Sequence, residues 1–331
     1  MPRLRHVAGD ALTIERRRVG RGFSFVQADG RPVRDPETRQ RIRDLAIPPA
    51  WTDVGIAADP LAHIQAKGTD AAGRTQYIYH AEWEVRRTRR KQRHLTALAA
   101  ALPRVRRRVR RDLEAEAGDK NLALAIAIAL IDRTAMRIGR ERYLIANGTR
   151  GAVTLYTQDV IVAGDEIRLR FPAKSGKVAA YRIKDGRLAD AIARIKTLRG
   201  RRLLLYHGMD GTPRPLNSQD LNAYLQEITD APITAKDFRT LHGSALAGEE
   251  LARLVPGSSA SARKRQLAAV MRRVAGFLQN TPAISRQSYV APHLIDLFEK
   301  GKLCDAWAVE EANGTGLRRR EACLAAVLAG A

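Results

Sequence analysis

The chain has 331 residues and a formal net charge of +23. It is long enough for two domains with separate cores, and its excess of cations predicts a polyanionic partner whose binding weakens as salt rises. An anionic membrane surface is the rival partner. The longest apolar run, residues 122–131, is about half of a bilayer span, and no signal sequence opens the chain, so we expect a soluble, cytoplasmic protein.

The segment up to residue 85 alternates short apolar or aromatic runs with glycines and prolines. Residues 23–26 and 76–79 read as strands, a turn signal at 70–73 precedes the second, and residues 36–45 read as a helix. We therefore predict a small β-rich N-terminal domain over residues 1–85.

Residues 86–111 form a run of arginines and lysines that contains no acidic residue. Such a run is usually the solvated face of a helix. Here it coincides with a change of composition, so a basic hinge that lies along a phosphate backbone and leads into a helix also fits the pattern.

Residues 112–331 read as a larger, mainly α-helical domain, so the fold class is α+β. Residues 120–139 have too many apolar positions for a one-sided surface helix and should be buried. Strict alternation at 167–171, a turn, and a return at 178–183 predict a β-hairpin with Lys174 at its tip, and residues 153–156 are candidates for a third strand. Further helices are predicted at 190–198, 218–228, 241–254, 262–278 and 291–299.

Four chemically active residues lie in segments of this second domain that read as structured: Arg137, Lys174, Arg239 and Tyr289. A tyrosine nucleophile with two arginines and a lysine is the set needed to cleave a phosphodiester without a metal, and on so basic a chain that phosphodiester is most simply DNA.

The phosphodiester is negative and resists attack, and a tyrosine with a pKa near 10 must lose its proton as it attacks. The permanently charged guanidiniums of Arg137 and Arg239 can grip nonbridging oxygens and stabilise the charge that builds up. Lys174 on the hairpin tip suits a general acid for the leaving deoxyribose oxygen, with Lys177 as a competitor. The resulting phosphotyrosine diester stores the broken bond, so resealing needs no ATP and no divalent ion.

Taken singly, several residues have structural interpretations. His242 reads as a structural histidine at a helix start, and Asn280 as a helix N-cap. Cys304 and Cys323, the only cysteines, argue for a reducing compartment without a disulfide. No Cys/His cluster has zinc spacing and no Walker loop is present, so we predict neither a metal nor a nucleotide cofactor.

As an ordered set, these segments resemble the small type IB DNA topoisomerases of poxviruses and bacteria. In the first domain the resemblance rests on residues 47–54, 63–66 and 70–80. In the second it rests on the segments around the four active residues. The resemblance implies a monomeric, C-shaped clamp around duplex DNA in the cytoplasm or nucleoid, with no cofactor. It implies a 3′-phosphotyrosyl link at Tyr289, swivelling that relaxes supercoils of either sign, and religation.

The resemblance also carries roles to other positions. Gln76, Tyr77 and Tyr79 match DNA-contacting positions, although an ordinary edge strand is their alternative, and Lys236 is a candidate backbone contact. Asn280 stands where the viral and eukaryotic pattern has histidine. Asparagine can donate a hydrogen bond to a phosphate oxygen without bringing a positive charge, so we expect a hydrogen-bonding role there and no proton transfer.

Two rival functions remain at this stage. A tyrosine site-specific recombinase shares the Arg/Lys/Arg/Tyr chemistry but acts as a synaptic tetramer on paired sites. A non-catalytic architectural DNA-binding protein would need only the positive charge, and substitution of Tyr289 would then leave its behaviour unchanged apart from binding.

Overall fold

The computed structural model describes residues 3–9, 11–308 and 317–330. The chain divides into two compact units, Met1–Lys91 and Gln92–Ala331. The small antiparallel sheet of the first and the many helices of the second agree with the predicted mixture of a β-rich part and a helical part.

The first unit is built on a five-stranded antiparallel sheet in the order β2-β1-β3-β4-β5. Its strands are β1 Ile14–Val19, β2 Gly22–Val26, β3 Thr52–Ile56, β4 Ile64–Thr69 and β5 Thr75–Tyr79. Helix α1, Pro36–Asp44, begins at the N-cap Asp35, and its Ile42 packs against Val54 and Ile56 in the core of this unit. The predicted strands and helix of this segment are confirmed.

The basic run is helical. Helix α2, Ala81–Asp112, is 32 residues long, and from Gln92 onward it belongs to the second unit. Its buried positions recur at helical spacing, as in Leu95, Leu98 and Leu102. This spacing leaves most of the arginines on the other faces of the helix.

The second unit surrounds helix α3, Lys120–Thr134, which is buried over nearly its whole length. The remaining helices are α4 Glu141–Asn147, α5 Gly186–Ile195, α6 Ser218–Thr229, α7 Ala235–Ala252, α8 Ala260–Leu278, α9 Pro282–Tyr289, α10 Pro292–Glu299, α11 Leu303–Ala306 and α12 Arg319–Ala329. Two small antiparallel sheets complete it: β6 Val160–Ala163, β7 Glu166–Pro172 and β8 Val178–Lys184 in one, and β9 Leu205–His207 with β10 Pro213–Pro215 in the other. All five helices predicted after residue 186 are present.

Three local predictions were wrong. Residues 153–156 are not a strand: Ala152–Thr154 form a 3₁₀ turn, and the third strand of the hairpin sheet is β6. The helix predicted to residue 139 ends at Thr134, because Ala135 takes a left-handed conformation (φ 52°). His242 lies in the middle of α7 and not at a helix start.

The predicted hairpin is confirmed. Strands β7 and β8 pair from Glu166 with Lys184 to Pro172 with Val178, and their connecting turn contains Lys174 and a left-handed Ser175 (φ 66°). Cys304 is exposed and Cys323 is buried. Among the described residues, no helix is both long and apolar enough to cross a bilayer.

Candidate active site

Arg137 lies in the loop that follows α3. The loop is fixed by backbone hydrogen bonds from Ala152 to Arg137 (2.9 Å) and from Val153 to Ile138 (2.8 Å). It passes so close to Gly151 that a Cβ atom there would lie 2.4 Å from the Arg137 carbonyl oxygen. The main chain on both sides therefore holds the half-buried arginine in place.

The Arg137 guanidinium is held by uncharged acceptors. Its Nη2 donates to the Gln279 carbonyl at 3.1 Å and to Asn280 Oδ1 at 2.5 Å. Burial lowers the pKa of Arg137, and the neighbouring Arg239 guanidinium lowers it further. The ordinary pKa of arginine is so far above neutrality that the guanidinium stays a cation at neutral pH.

Arg239 lies on α7 and is only 3% exposed. Its Nη1 donates to the Ala135 carbonyl at the end of α3, and its Nη2 donates to the Leu278 carbonyl at the end of α8 (2.7 Å). Its buried Nε has no hydrogen-bond partner among the residues that the structure describes. Within the described residues neither Arg239 nor Arg137 is paired with a carboxylate, so both charges remain available to an anion.

Tyr289 is the last residue of α9, and its ring covers the Arg239 guanidinium at 4.9 Å from ring centroid to Cζ. Its backbone carbonyl accepts from Ser244 Oγ at 3.3 Å. Gly243 makes this approach possible, because a Cβ at that position would lie 2.7 Å from the Tyr289 carbonyl oxygen. The glycine of the sequence motif around Arg239 thus seats the candidate nucleophile against α7.

Asn280 joins the same group. Its backbone N–H donates to the Ala275 carbonyl (2.9 Å) where α8 ends, and its side-chain Oδ1 is taken by Arg137. Its Nδ2 is buried and has no hydrogen-bond partner in the described part of the chain. A buried donor without an acceptor is costly, and the Nδ2 of Asn280 together with the Nε of Arg239 gives two such donors among these residues.

The N-cap interpretation of Asn280 is wrong. The cap of α9 is Thr281, whose hydroxyl accepts from the Ile284 N–H at 3.3 Å. The side chain of Asn280 is therefore directed to Arg137 and not to a helix end.

The predicted general acid stands apart from this group. Lys174 and its competitor Lys177 are both exposed at the hairpin tip, and neither amine has a hydrogen bond or ion pair within the described part of the chain. The structure brings together Arg137, Arg239, Asn280 and Tyr289, and it does not bring Lys174 to them.

Tyr181 on β8 was not singled out from the sequence. Burial raises the pKa of Tyr181, whereas the positive charges of Arg239 and Arg137 oppose that rise, so the phenol lies within electrostatic reach of both guanidiniums. Its ring stacks with Phe171 on β7 (6.2 Å between centroids). Strand alternation gives the face of Tyr181, but only the tertiary fold shows that this face meets the arginines.

The N-terminal candidates lie on β5, an edge strand of its sheet. Tyr77 is 41% exposed, and its ring stacks with that of Tyr79 at 6.0 Å between centroids. Gln76 Nε2 donates to Asp70 Oδ2 at 2.8 Å. In the second unit, Lys236 is exposed in the first turn of α7.

One cluster has the donor types of a metal site. Asp132, His242 and Glu321 are buried and place one ligand atom each within 4.8 Å of one another. The Arg106 guanidinium, however, donates to both carboxylates, with contacts between 2.8 and 3.0 Å. It occupies the place of a cation, so these residues fit a guanidinium and not a metal ion.

The similarities to known proteins agree with this geometry. A family model described as eukaryotic DNA topoisomerase I, catalytic core, matches residues 80–299. A second, described as bacterial DNA topoisomerase IB, N-terminal domain, matches residues 22–70. The DNA topoisomerase 1B of Acanthamoeba polyphaga mimivirus is 30% identical over 295 residues, which are 86% of this chain and 87% of the viral protein. The chain belongs to the type IB DNA topoisomerases.

More distant members of the type IB topoisomerases are also similar. The DNA topoisomerase 1B of vaccinia virus (strain Copenhagen) and the DNA topoisomerase I of monkeypox virus are each 22% identical over 283 residues, which are 83% of this chain and 86% of the viral proteins. The resemblance stated from the motifs is confirmed, and the topoisomerase assignment stands ahead of the recombinase and architectural alternatives. All five predicted catalytic residues fall within the catalytic-core match.

Proposed function

We propose that this topoisomerase relaxes both positive and negative supercoils of duplex DNA through a covalent 3′-phosphotyrosyl intermediate at Tyr289, without ATP or a divalent metal. The observation that carries the proposal is the pair of guanidiniums, Arg137 and Arg239, which are held by carbonyl and amide oxygens, with the Tyr289 ring over the guanidinium of Arg239. Two cations fixed by neutral acceptors form a ready cradle for a diester phosphate.

In the proposed reaction the Tyr289 hydroxyl oxygen attacks the phosphorus. The bond from phosphorus to this oxygen forms as the bond from phosphorus to the deoxyribose 5′ oxygen breaks. The phenol gives its proton to a solvent water as it attacks, and the 5′ oxygen gains one from Lys174. Religation is the reverse, with the free 5′ hydroxyl as the nucleophile, so one diester replaces another and no external energy is needed.

Arg137 and Arg239 hold the nonbridging oxygens in this scheme, and Asn280 Nδ2 donates to one of them. These roles make use of the two buried donors, Arg239 Nε and Asn280 Nδ2, for which the described residues offer no acceptor. They also require the Tyr289 ring to leave the face of Arg239, so that the phosphate and the phenol oxygen can lie side by side.

Lys174 has to reach the 5′ oxygen from the exposed hairpin tip. The Lys174 amine makes no hydrogen bond or ion pair with the part of the chain that the structure describes, and the turn contains a left-handed Ser175 and Gly176 (φ 66° and 68°). We propose that bound DNA orders this tip against the scissile phosphate, which completes the site only on substrate.

DNA binding outside the site is proposed to involve both units, which would close around the duplex as a C-shaped clamp. On the first unit the candidates are Gln76, Tyr77 and Tyr79, whose amide and aromatic side chains can contact base edges and sugars. On the second, Lys236 is a candidate phosphate contact. The scheme needs a single copy of the chain, so we propose that the enzyme acts as a monomer.

The test is relaxation of negatively and positively supercoiled plasmid in EDTA without ATP, with wild type beside Tyr289→Phe. Wild type should relax both plasmids, whereas the phenylalanine variant should bind DNA and relax neither. Denaturing the wild-type reaction should trap protein on the 3′ end of the nicked strand. A protein that binds but leaves both plasmids supercoiled, or a Tyr289→Phe variant that relaxes them, would overturn the proposal.

A further inference from the structure

Three buried residues and one partly buried arginine, from four helices, form a charged cluster, here called the buried quartet: Arg106 of α2, Asp132 of α3, His242 of α7 and Glu321 of α12. Arg106 donates to Asp132 through Nε and Nη2 (2.9 and 3.0 Å) and to Glu321 through Nη1 and Nη2 (2.8 and 3.0 Å). His242 Nε2 lies 3.2 Å from Asp132 Oδ1, and its Nδ1 lies 3.8 Å from Glu321 Oε1. His242 and Glu321 are each 1% exposed.

The quartet is adjacent in the chain to the anchors of Arg239. His242 follows Arg239 by three residues on α7, so the two side chains leave the same region of the helix. Asp132 is in the last turn of α3, and Ala135, where that helix ends, supplies the carbonyl that accepts from Arg239 Nη1. A shift of the quartet would thus move both the helix that carries Arg239 and one carbonyl that holds it.

Glu321 is the member whose place is least expected. It lies beyond residue 299, where the match to the catalytic core ends. Its helix packs Leu324, Val327 and Leu328 into the main core of the second unit. These apolar contacts would hold α12 without a carboxylate, and burying a carboxylate is costly unless it is well paired. The carboxylate therefore serves something other than simple docking of the helix.

We propose that Glu321 is a positioning residue of the active site, which through Arg106, Asp132 and His242 fixes the guanidinium of Arg239 against the scissile phosphate. This inference rests on the proposed function, because it assigns the quartet a part in phosphodiester cleavage. Glu321 touches no substrate, and it acts only through the helices that carry and hold Arg239.

The perturbation is Glu321→Gln. Glutamine has nearly the same shape and can keep the contact with the Arg318 backbone N–H (2.9 Å) that caps α12. It presents an NH₂ group to Arg106 where an oxygen now accepts, so two donors face each other and the guanidinium must move. Displacement of a catalytic group by about 1 Å can cost on the order of 10²-fold in rate, and we expect single-turnover cleavage to slow by about 10-fold or more.

The matched control is Glu299→Gln. Glu299 is an exposed carboxylate on α10, so this change alters the net charge by the same amount without touching the quartet. DNA affinity should shift equally and little in both variants, whereas only Glu321→Gln should cleave slowly.

A second substrate separates positioning from general loss of folded protein. In it a methyl group replaces one nonbridging oxygen at the scissile phosphate, so the diester is neutral and a misplaced Arg239 matters less. The slowing caused by Glu321→Gln should therefore be much smaller on the methyl substrate. A variant that is merely unstable would be slowed by the same factor on both substrates.

The outcomes are distinct. If wild type fails to cleave the ordinary diester, the proposed function fails and takes this inference with it. If wild type cleaves and Glu321→Gln cleaves equally fast, or is slowed equally on both substrates, the positioning role alone is overturned. If thermal melting shows that Glu321→Gln does not fold, His242→Gln is tested instead. The same substrate-dependent slowing is expected of His242→Gln. No slowing, or equal slowing on both substrates, would overturn the positioning role.

Discussion

Replacing Asn280 with aspartate should make the free protein more stable and the enzyme much slower. Asn280 Oδ1 accepts from Arg137 Nη2 at 2.5 Å, while Nδ2 is buried and has no partner within residues 3–9, 11–308 and 317–330. The aspartate side chain removes that donor and offers Arg137 a charged acceptor of the same shape. An unmade buried hydrogen bond costs about 1–3 kcal/mol, and the free energy of unfolding should rise by up to that amount.

Catalysis should change in the opposite direction. Loss of one donor to the developing charge typically costs about 10²–10³ in rate, or ~2.7–4 kcal/mol. The new carboxylate also neutralises the positive charge of Arg137 and repels the phosphate. Two like charges about 4 Å apart repel each other by ~4 kcal/mol at an effective dielectric constant of 20. We therefore expect cleavage by Asn280→Asp to fall by about 10³ or more.

The assay is single-turnover cleavage of a short duplex from which the cut strand dissociates, with chemical denaturation of the same preparations. Asn280→Ala should be slowed less than Asn280→Asp, because it loses the donor without gaining a charge, and Asn280→His should stay active because it keeps an N–H. If Asn280→Asp folds and cleaves within an order of magnitude of the wild-type rate, Asn280 is not a donor to the phosphate. An Asn280→His variant that folds normally and is inactive would also refute the donor role.

Three further predictions follow from other parts of the site. Lys174→Ala should cleave slowly and should recover on a substrate whose 5′ leaving atom is sulfur, since a thiolate departs without a proton. Lys177→Ala, on the same turn, should need no such rescue. Equal behaviour of the two variants would refute Lys174 as the general acid. Gly243→Ala should destabilise the fold by about 1–3 kcal/mol and reduce the covalent adduct at Tyr289, because the added Cβ collides with the Tyr289 carbonyl; unchanged denaturation and adduct yield would contradict this. Burial would raise the pKa of Asp132, but His242 and Arg106 hold it well below its ordinary value, so its contribution to stability is complete above about pH 4 and is lost as the pH falls further. The stability deficit of Asp132→Asn should accordingly be large at pH 7 and shrink below about pH 4, and a deficit that does not change with pH would contradict the argument.

Local patterns gave much of the architecture correctly. The alternation in residues 167–183 predicted both strands of the hairpin and the place of Lys174 at its tip, because a half-buried strand imposes a period of two on its own sequence. The apolar runs in the last third of the chain likewise predicted α8, which precedes Tyr289, and most of α7, although Arg239 lies before the predicted start of that helix at residue 241. Such a pattern lies within a single helix or strand, so it can be recognised from that segment alone.

The errors and omissions depend on contacts between distant elements. No glycine or proline stands between Lys120 and Ile138, so no helix-breaking residue marks the end of α3 at Thr134. The carbonyl of the left-handed Ala135 accepts a hydrogen bond from Arg239, which lies 104 residues away along the chain. Tyr181 and Glu321 were missed for the same reason, because their partners are identified only by the packing of other helices and strands.

The arginine anchors have a consequence for how the sequence can diverge. Arg239 is held by the main-chain carbonyls of Ala135 and Leu278, and Arg137 in part by that of Gln279. Every amino acid supplies the same carbonyl, so substitutions at these three positions leave the acceptors in place as long as the backbone keeps its path. The cradle is therefore encoded by the course of the main chain, and a substitution at these positions reaches the two charges only by changing that course.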